Sequence, residues 1–354
     1  MGKRAIQGNP EIRSETPPNH RPRIGLSNRR YLGSKTKILD TIENEIVGVL
    51  GRTPVSLFDA FAGSGVVGGR FASKGVKVVM NDLLFHNSLA HRAFLLHGNY
   101  DQDRIESYLY DMEKSPPLRG YITENFGGKY FSVQNAMLLD SWREYLAIRV
   151  QDPPTLWVLL TSLLYAADKI AQTVGHYDAY FVRNAVDRKP ELRLLDQVGT
   201  GSGHKIYNRD TNSLIGEIEV EVLYLDPPYN SRQYSDTYHV LENIARWEKP
   251  DVFGVARKMD RSALKSRYSG KRAEEAFEDL VTRAKAELII LSYSNTGDSR
   301  VSRSNNVLSD TFITGVLRSR GNVRIREIDF KEFSVGRTSK RAHQERLFIC
   351  EVGR

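Results

Sequence analysis

The chain has 354 residues and a formal net charge of +8, with 27% charged and 40% hydrophobic residues. This composition is typical of a globular α/β protein with one large domain carrying an insertion, or with two domains. The basic balance favours a polyanionic partner such as nucleic acid. The single cysteine, Cys350, excludes an internal disulfide and a zinc site made of several cysteines.

The N-terminal segment, residues 1–27, has four prolines, a basic excess and few apolar side chains. Such a segment buries too little apolar surface to offset the entropy of ordering, so we expect a flexible basic tail. It does not resemble a secretion signal, and no apolar stretch of the chain approaches the length of a transmembrane helix. We therefore expect a cytoplasmic protein with no membrane partner.

In the next segment the spacing of the apolar residues alternates between that of a helix and that of a strand. Residues 36–50 have the spacing of an amphipathic helix, and residues 55–61 predict a short buried strand. A glycine-rich turn, a helix over residues 66–74 and a second strand over residues 76–81 follow. This order is typical of a β-turn-α-β unit at the start of a parallel sheet with right-handed crossovers.

The middle of the chain, residues 101–205, is tyrosine-rich and shows helical spacing around residues 133–150 and 156–173. We interpret it as a mainly helical insert. The insert would divide one α/β domain into two parts, residues 28–100 and 206–354.

The last part of the chain returns to strand-forming sequence at residues 218–225. A helix over residues 274–285 precedes a strand over 287–291, and residues 323–330 and 346–352 alternate as a hairpin. The predicted fold is a Rossmann-like mixed sheet, largely parallel, with an antiparallel C-terminal hairpin.

Three residues of the first unit suit a nucleoside cofactor. Gly63 and Gly65 follow a strand, where they let a ligand approach the backbone beside a helix N-terminus. Their spacing matches neither the dinucleotide fingerprint nor a P-loop, so a purely structural turn stays open. Asp82, about 20 residues later, is placed to bind ribose hydroxyls or to cap a helix.

The most specific motif is Asp226-Pro227-Pro228-Tyr229, directly after an apolar strand. A carboxylate and a backbone carbonyl can accept hydrogen bonds from the exocyclic amino group of a base, and an aromatic ring can stack on that base. The prolines hold the carbonyls rigidly and add no N–H donors. Although a Pro-Pro pair also ends strands for structural reasons, the combination favours chemistry on a nucleobase amino group.

This order of motifs resembles the D12 class of adenine-N6 DNA methyltransferases, which use S-adenosylmethionine, in their α arrangement. The resemblance covers about residues 28–350: an Arg-Tyr-Leu-Gly-Ser-Lys element at 30–35, the glycine turn, Asp82, a long insert and the Asp226 motif. It is similar to modification methylases of type IIS-like restriction systems and, more distantly, to Dam-type enzymes. The resemblance implies a Rossmann-like methyltransferase fold in which the insert recognises the target.

The resemblance also implies a cofactor site. Its residues would be Tyr31, Lys35, Asp59, Phe61, Gly63, Gly65, Asp82, Asp210 and Asp226. Tyr31 and Lys35 would lie beside the methionine end of the cofactor, where an ammonium can neutralise a carboxylate. Asp82 would hold the ribose, and Asp210 would meet the adenine unless it is only a turn residue.

The catalytic residues implied by the resemblance are Asp226, Pro227, Pro228 and Tyr229. The target adenine would flip out of duplex DNA and stack on Tyr229. Its amino group would donate hydrogen bonds to the Asp226 carboxylate and the Pro227 carbonyl. Neither a metal ion nor a covalent enzyme intermediate is expected.

Two segments are predicted to contact the DNA. His176, Tyr177 and Arg183 lie where Dam-type enzymes carry a loop that probes DNA, although the Asn and Pro of that loop are absent here. Arg267 and Lys271 belong to a basic run over residues 257–272, which would flank the phosphates or form a solvated helix face.

The expected partner is double-stranded DNA, with a cognate restriction endonuclease as a second partner if the chain serves a restriction-modification system. Three alternatives stay open at this point: N4-cytosine methylation of DNA, methylation of an amino group in RNA or protein, and a DNA-binding module without activity. The intact glycine turn and Asp226 weigh against the last.

Overall fold

The computed structural model describes residues 21–96, 100–180, 188–199, 203–228, 231–295, 307–330 and 343–353. The strands in these ranges are β1 (Arg23–Ile24), β2 (Ser56–Asp59), β3 (Lys77–Asn81), β4 (Leu194–Leu195), β5 (Lys205–Tyr207), β6 (Glu219–Leu225), β7 (Lys285–Asn295), β8 (Gly321–Phe330) and β9 (His343–Val352).

The α-helices of the same ranges are α1 (Leu39–Leu50), α2 (Val66–Ala72), α3 (Phe85–Leu95), α4 (Gln102–Lys114), α5 (Tyr121–Phe126), α6 (Val133–Arg149), α7 (Pro153–Ile170), α8 (Thr211–Leu214), α9 (Tyr234–Thr237), α10 (His239–Arg246), α11 (Ala273–Arg283) and α12 (Asp310–Arg318). No helix in the described part of the chain combines the length and apolar character needed to cross a membrane.

The main sheet, as far as the described residues show it, has the strand order β5-β3-β2-β6-β7-β9-β8. The strands from β5 to β7 pair in parallel, whereas β9 pairs antiparallel with both β7 and β8. Strand β6 is almost wholly buried, as expected of a central parallel strand covered on both faces. The structure confirms the predicted Rossmann-like mixed sheet and its C-terminal hairpin.

The direction in which the chain adds strands reverses at β2, because β3 lies on one side of it and β6 on the other. The register pairs Asp59 with Met80 of β3 and with Tyr224 of β6. The loops that follow these three strands therefore leave the sheet at one edge. Ligands of open α/β sheets bind in the crevice at such a reversal, so the fold locates the candidate site there.

The inserted region contains α4, α5, α6 and α7, and the predicted helices at residues 133–150 and 156–173 correspond to α6 and α7. Ser132 caps α6 and Asp152 caps α7, whose first residue is a proline. Helix α7 packs against α3, and one hydrophobic core joins the insert to the sheet. The insert is thus held rigidly beside the sheet.

The predicted flexible tail is wrong for residues 21–27. Strand β1 pairs in parallel with β4, and both Ile24 and Leu26 are buried. The Tyr165 hydroxyl donates to the Leu26 carbonyl at 3.0 Å, while Gly69 leaves space for the Leu26 side chain. These two apolar residues gain enough burial to order the segment. Residues 1–20 of the predicted tail lie outside the described residues.

The basic run over residues 257–272 is not a helix face, so that interpretation is wrong. Its beginning belongs to a hairpin in which Phe253 and Lys258 pair. Two 3₁₀ turns, Ser262–Leu264 and Arg267–Ser269, follow. The run is therefore a compact loop that packs near the end of β6.

Candidate active site

A pocket opens at the carboxyl ends of β2, β3 and β6. The predicted cofactor-binding residues that line it are Tyr31, Lys35, Asp59, Phe61, Gly63, Asp82, Asp210 and Asp226. Pro228 of the predicted catalytic motif lines it as well. Residues far apart in the sequence thus meet at the edge of the sheet where the strand order reverses.

An ion pair between Lys35 and Asp226 lies in this pocket. The ammonium donates to both Asp226 carboxylate oxygens, at 2.8 and 2.7 Å, and to the Gly33 carbonyl at 3.1 Å. Burial raises the pKa of Asp226 to about 6, although the Lys35 charge opposes the shift. Because the three donors of Lys35 have these acceptors, the expected neutralisation of a cofactor carboxylate by Lys35 has no support in its contacts.

A second carboxylate, Glu345 of β9, approaches the same ammonium. Glu345 Oε1 lies 3.5 Å from Lys35 Nζ and accepts a hydrogen bond from Ser292 Oγ at 2.5 Å. Burial alone would lower the pKa of Lys35, but the carboxylates of Asp226 and Glu345 outweigh it and raise that pKa above its usual value. Lys35 therefore stays charged. The sequence interpretation missed Glu345, since only strand pairing brings it to the site.

Asp59, at the end of β2, has one satisfied and one free carboxylate oxygen. Its Oδ2 accepts from the Gly68 backbone N–H at 3.0 Å, while Oδ1 is buried without a hydrogen-bond partner. Burial raises the pKa of Asp59 to about 7, despite the bond from Gly68. An unpaired buried oxygen that lines a pocket is suited to accept an N–H from a ligand.

Asp82, after β3, holds the glycine turn in place. Its two oxygens accept from the backbone N–H groups of Gly63 and Leu84, each at 2.8 Å. Burial raises the pKa of Asp82 to about 6, against these two bonds. The Asn87 side chain also bonds to this carboxylate. Three of its roughly four acceptor sites are thus used, and one is left for a hydrogen bond from a ligand.

The turn glycines are required by packing as well as by any ligand. Gly63 and Gly65 have φ angles of +51° and +80°. A Cβ at Gly63 would lie 2.7 Å from the Tyr31 ring, and one at Gly65 would lie 2.7 Å from the His91 ring. Gly65 packs against α3 and is absent from the pocket lining, so its expected contact with a cofactor has no support in this geometry.

Three tyrosines stack beside the pocket. The Tyr31 and Tyr238 rings are nearly parallel, with centroids 4.9 Å apart, and Tyr234 stacks on Tyr31 at 5.6 Å. The Tyr238 hydroxyl accepts from the Leu32 N–H at 2.7 Å. This stack fixes the loop before Lys35 to the helices after β6. The spacing of Tyr234 and Tyr238, one helical turn apart, is the signal that could have revealed it.

The opposite wall is aromatic and carries an acid. Phe61 packs edge-to-face on Tyr268, with ring centroids 4.9 Å apart. Asp210 caps α8 by accepting from the Ser213 N–H at 3.2 Å. Asp210 Oδ1 also accepts from Arg267 Nη2 at 2.7 Å. Arg267 therefore pairs with an acid of this pocket, although it was predicted to contact DNA.

A side chain joins the segment after β6 to the loop that closes this wall. Gln233 accepts from the Ser266 N–H at 2.8 Å and donates to the Ser266 carbonyl at 3.1 Å. Gln233, Leu264 and Ser266 all line the pocket. The sequence interpretation found none of the three, because residues in irregular loops show no periodic pattern.

The remaining predicted site residues have mixed outcomes. Tyr177 is 0% exposed and its hydroxyl donates to Asp168, so its buried position gives no support to the predicted contact with DNA. His176 is partly exposed, and Lys271 is exposed. Tyr229 and Arg183 lie outside the residues that the structure describes.

The described residues that line the pocket supply carboxylates, one lysine, backbone groups and aromatic rings. Within the described ranges, the structure contains no group of three or more His, Cys, Asp or Glu residues arranged to hold a metal ion.

The parallel sheet with its reversal at β2, the glycine turn and the acids that follow three strands define a Rossmann-like methyltransferase fold. The chain belongs to the family of D12 class N6 adenine-specific DNA methyltransferases, whose family model matches residues 31–293. The resemblance deduced from the motifs is thereby confirmed.

Known relatives agree with this family. The chain is 30% identical to the type II methyltransferase M.NlaIII of Neisseria lactamica, over 89% of this chain and 95% of that protein. It is 30% identical to the modification methylase StsI of Streptococcus sanguinis, over 88% of this chain and 50% of that protein. It is 29% identical to the modification methylase LlaI of Lactococcus lactis, over 90% of this chain and 53% of that protein. The chain spans about half the length of the last two relatives.

Proposed function

We propose that this protein transfers the methyl group of S-adenosylmethionine to the N6 amino group of adenine in double-stranded DNA, after the base has flipped out of the duplex. The observation that supports this proposal most directly is the position of Asp226. This residue follows β6 and lines a pocket together with Gly63 of the glycine turn and Asp82. The family match favours adenine over the cytosine, RNA and protein targets left open by the sequence.

The pocket residues fit the proposed cofactor. S-adenosylmethionine supplies an electrophilic methyl group on a sulfonium. The free Asp59 Oδ1 is suited to accept from its ammonium group, and Asp82 has an acceptor site left for a ribose hydroxyl. Phe61 offers an aromatic face for its adenine, with Asp210 at the same wall.

Asp226 is proposed to accept a hydrogen bond from the target amino group. As the nitrogen attacks it develops positive charge, so a fixed carboxylate stabilises the transition state more than the bound substrate. Lys35 holds both Asp226 oxygens and thereby keeps the carboxylate oriented and ionised. The Pro227 carbonyl would accept the second N–H, and Tyr229 would stack on the base, as the family resemblance implies.

Target recognition is proposed to lie in the insert, residues 101–205, which packs on the sheet through α7. The relatives are named as type II methyltransferases and modification methylases. These names support the proposal that the chain serves a restriction-modification system and has a cognate endonuclease as a partner.

The proposed function is tested with purified protein, labelled S-adenosylmethionine and, in parallel, duplex DNA and RNA. Digestion to nucleosides and mass spectrometry should find N6-methyladenine in the DNA alone. A product in RNA, or N4-methylcytosine in the DNA, would contradict the proposed substrate.

A further inference from the structure

A hairpin over residues 253–258 presents two large apolar side chains to water. Phe253 is 64% exposed and Val255 is 75% exposed. Contiguous apolar side chains at a surface mark sites of interaction. Arg257 has a φ of +49°, a conformation that costs free energy in a residue other than glycine and is concentrated at functional sites.

The hairpin is fixed although its tip is exposed. Phe253 and Lys258 exchange both backbone hydrogen bonds, at 2.8 and 3.0 Å. The Ala256 carbonyl accepts from the Tyr130 hydroxyl at 2.9 Å and lies 2.8 Å from His239 Nε2. Tyr130 and His239 are fully buried, so core side chains hold the backbone of the turn. The apolar tip is thus a rigid feature of the surface.

The hairpin is linked to the mouth of the pocket. Lys258 forms ion pairs with Asp178, in the loop predicted to meet DNA, and with Asp236 of α9. Helix α9 begins at Tyr234, which lines the pocket. The chain after the hairpin continues to Leu264, which also lines it. The hairpin is therefore connected to two residues that line the pocket, Tyr234 and Leu264.

We propose that the hairpin inserts Phe253 and Val255 into duplex DNA beside the target base, an inference that rests on the proposed function. A flipped base leaves a gap in the stack, and apolar wedges that fill such gaps offset the loss of stacking. The exposed cation Arg257 belongs to the same hairpin and suits a backbone phosphate of the DNA. Because the chain itself has a net charge of +8, a positive charge at the tip favours DNA as the partner rather than a second copy of the chain.

The first experiment compares the double variant Phe253→Ala/Val255→Ala with Val55→Ala, which removes an equally exposed side chain (63%) just before β2, at the end of that strand away from the pocket. Both variants should keep the wild-type melting temperature and cofactor affinity. Methyl transfer to plasmid DNA should fall roughly 5- to 100-fold in the double variant only, the range expected for loss of one stacking contact. Wild-type transfer by the double variant would overturn the inference.

The second experiment reports DNA contact without requiring turnover. Trp fluorescence of Phe253→Trp should be quenched by duplex DNA, whereas that of Val55→Trp should not change beyond the signal of the three native tryptophans. If DNA does not quench the emission of Phe253→Trp, the inference is overturned. It is also overturned if this emission changes with protein concentration in the absence of DNA, because that change indicates self-association. If quenching occurs but the wild type methylates no DNA, the proposed function fails and the contact stands.

Discussion

Lys35 and Asp226 are 191 positions apart in the sequence, and the Lys35 ammonium lies 2.8 and 2.7 Å from the two carboxylate oxygens of Asp226. The pair joins the segment before α1 to the loop after β6. Glu345 approaches the same ammonium from β9. Removing the lysine would leave two carboxylates facing each other in a buried site, a costly arrangement. The orientation and charge of Asp226 thus depend on Lys35.

The first prediction concerns the pH dependence of this pair. Asp226 accepts hydrogen bonds through its ionised form, so activity should be lost as pH falls through its pKa of about 6. Lys35→Met removes the charge that lowers this pKa, so the acid limb of kcat/KM should move to higher pH. Lys35→Arg keeps a positive charge and should leave the limb closer to that of the wild type. Rates from pH 5 to pH 8 measure this, and identical limbs in all three proteins would refute the role of Lys35.

The second prediction concerns Asp59 and the cofactor. Burial raises the pKa of Asp59 to about 7, and its ionised form should bind the ammonium of S-adenosylmethionine better than its neutral form. Affinity should therefore increase as pH rises from 6.5 to 7, a range above the pKa of about 6 of Asp82 and below the titration of an α-amino group, near 7.7. Asp59→Asn keeps an oxygen for Gly68 and should bind the cofactor roughly tenfold or more weakly, without this pH dependence. Calorimetry at several pH values provides the test, and a pH-dependent Asp59→Asn would contradict the assignment.

The third prediction separates Arg267 from Lys271. Arg267 pairs with Asp210 at the pocket wall, whereas Lys271 is exposed. Arg267→Ala should weaken cofactor binding and leave the salt dependence of DNA binding unchanged. Lys271→Ala should keep cofactor affinity and reduce the slope of log K against log salt by ~0.9, one phosphate contact. The reverse pattern would mean that Arg267 contacts DNA, as the sequence alone suggested.

The sequence predicted the features that depend on local pattern. Apolar periodicity located β2, α2, β3 and β6, because a parallel sheet needs continuous apolar strands with helices between them. The acids that end these strands, Asp59, Asp82 and Asp226, could then be placed at one edge of the sheet. Their convergence in the pocket follows from the strand order.

Features that depend on tertiary packing could not be predicted in this way. Tyr177 stands in an aromatic, polar loop sequence that suggests exposure, yet it is buried against Tyr130. Glu345 reaches Lys35 only because β9 pairs beside β7. Ile24 and Leu26 are two apolar residues in a basic segment, and only their contacts with the folded chain order them.

The central claim is that Asp226 accepts a hydrogen bond from the amino group of the target adenine during methyl transfer. The most direct measurement is the single-turnover rate of Asp226→Ala on duplex DNA, with N6-methyladenine quantified by mass spectrometry and cofactor affinity measured on the same preparation. The rate should fall by roughly 10²- to 10³-fold, as for loss of one preorganised polar partner, while cofactor affinity changes only a few-fold. A variant that formed N6-methyladenine at the wild-type rate would contradict the claim.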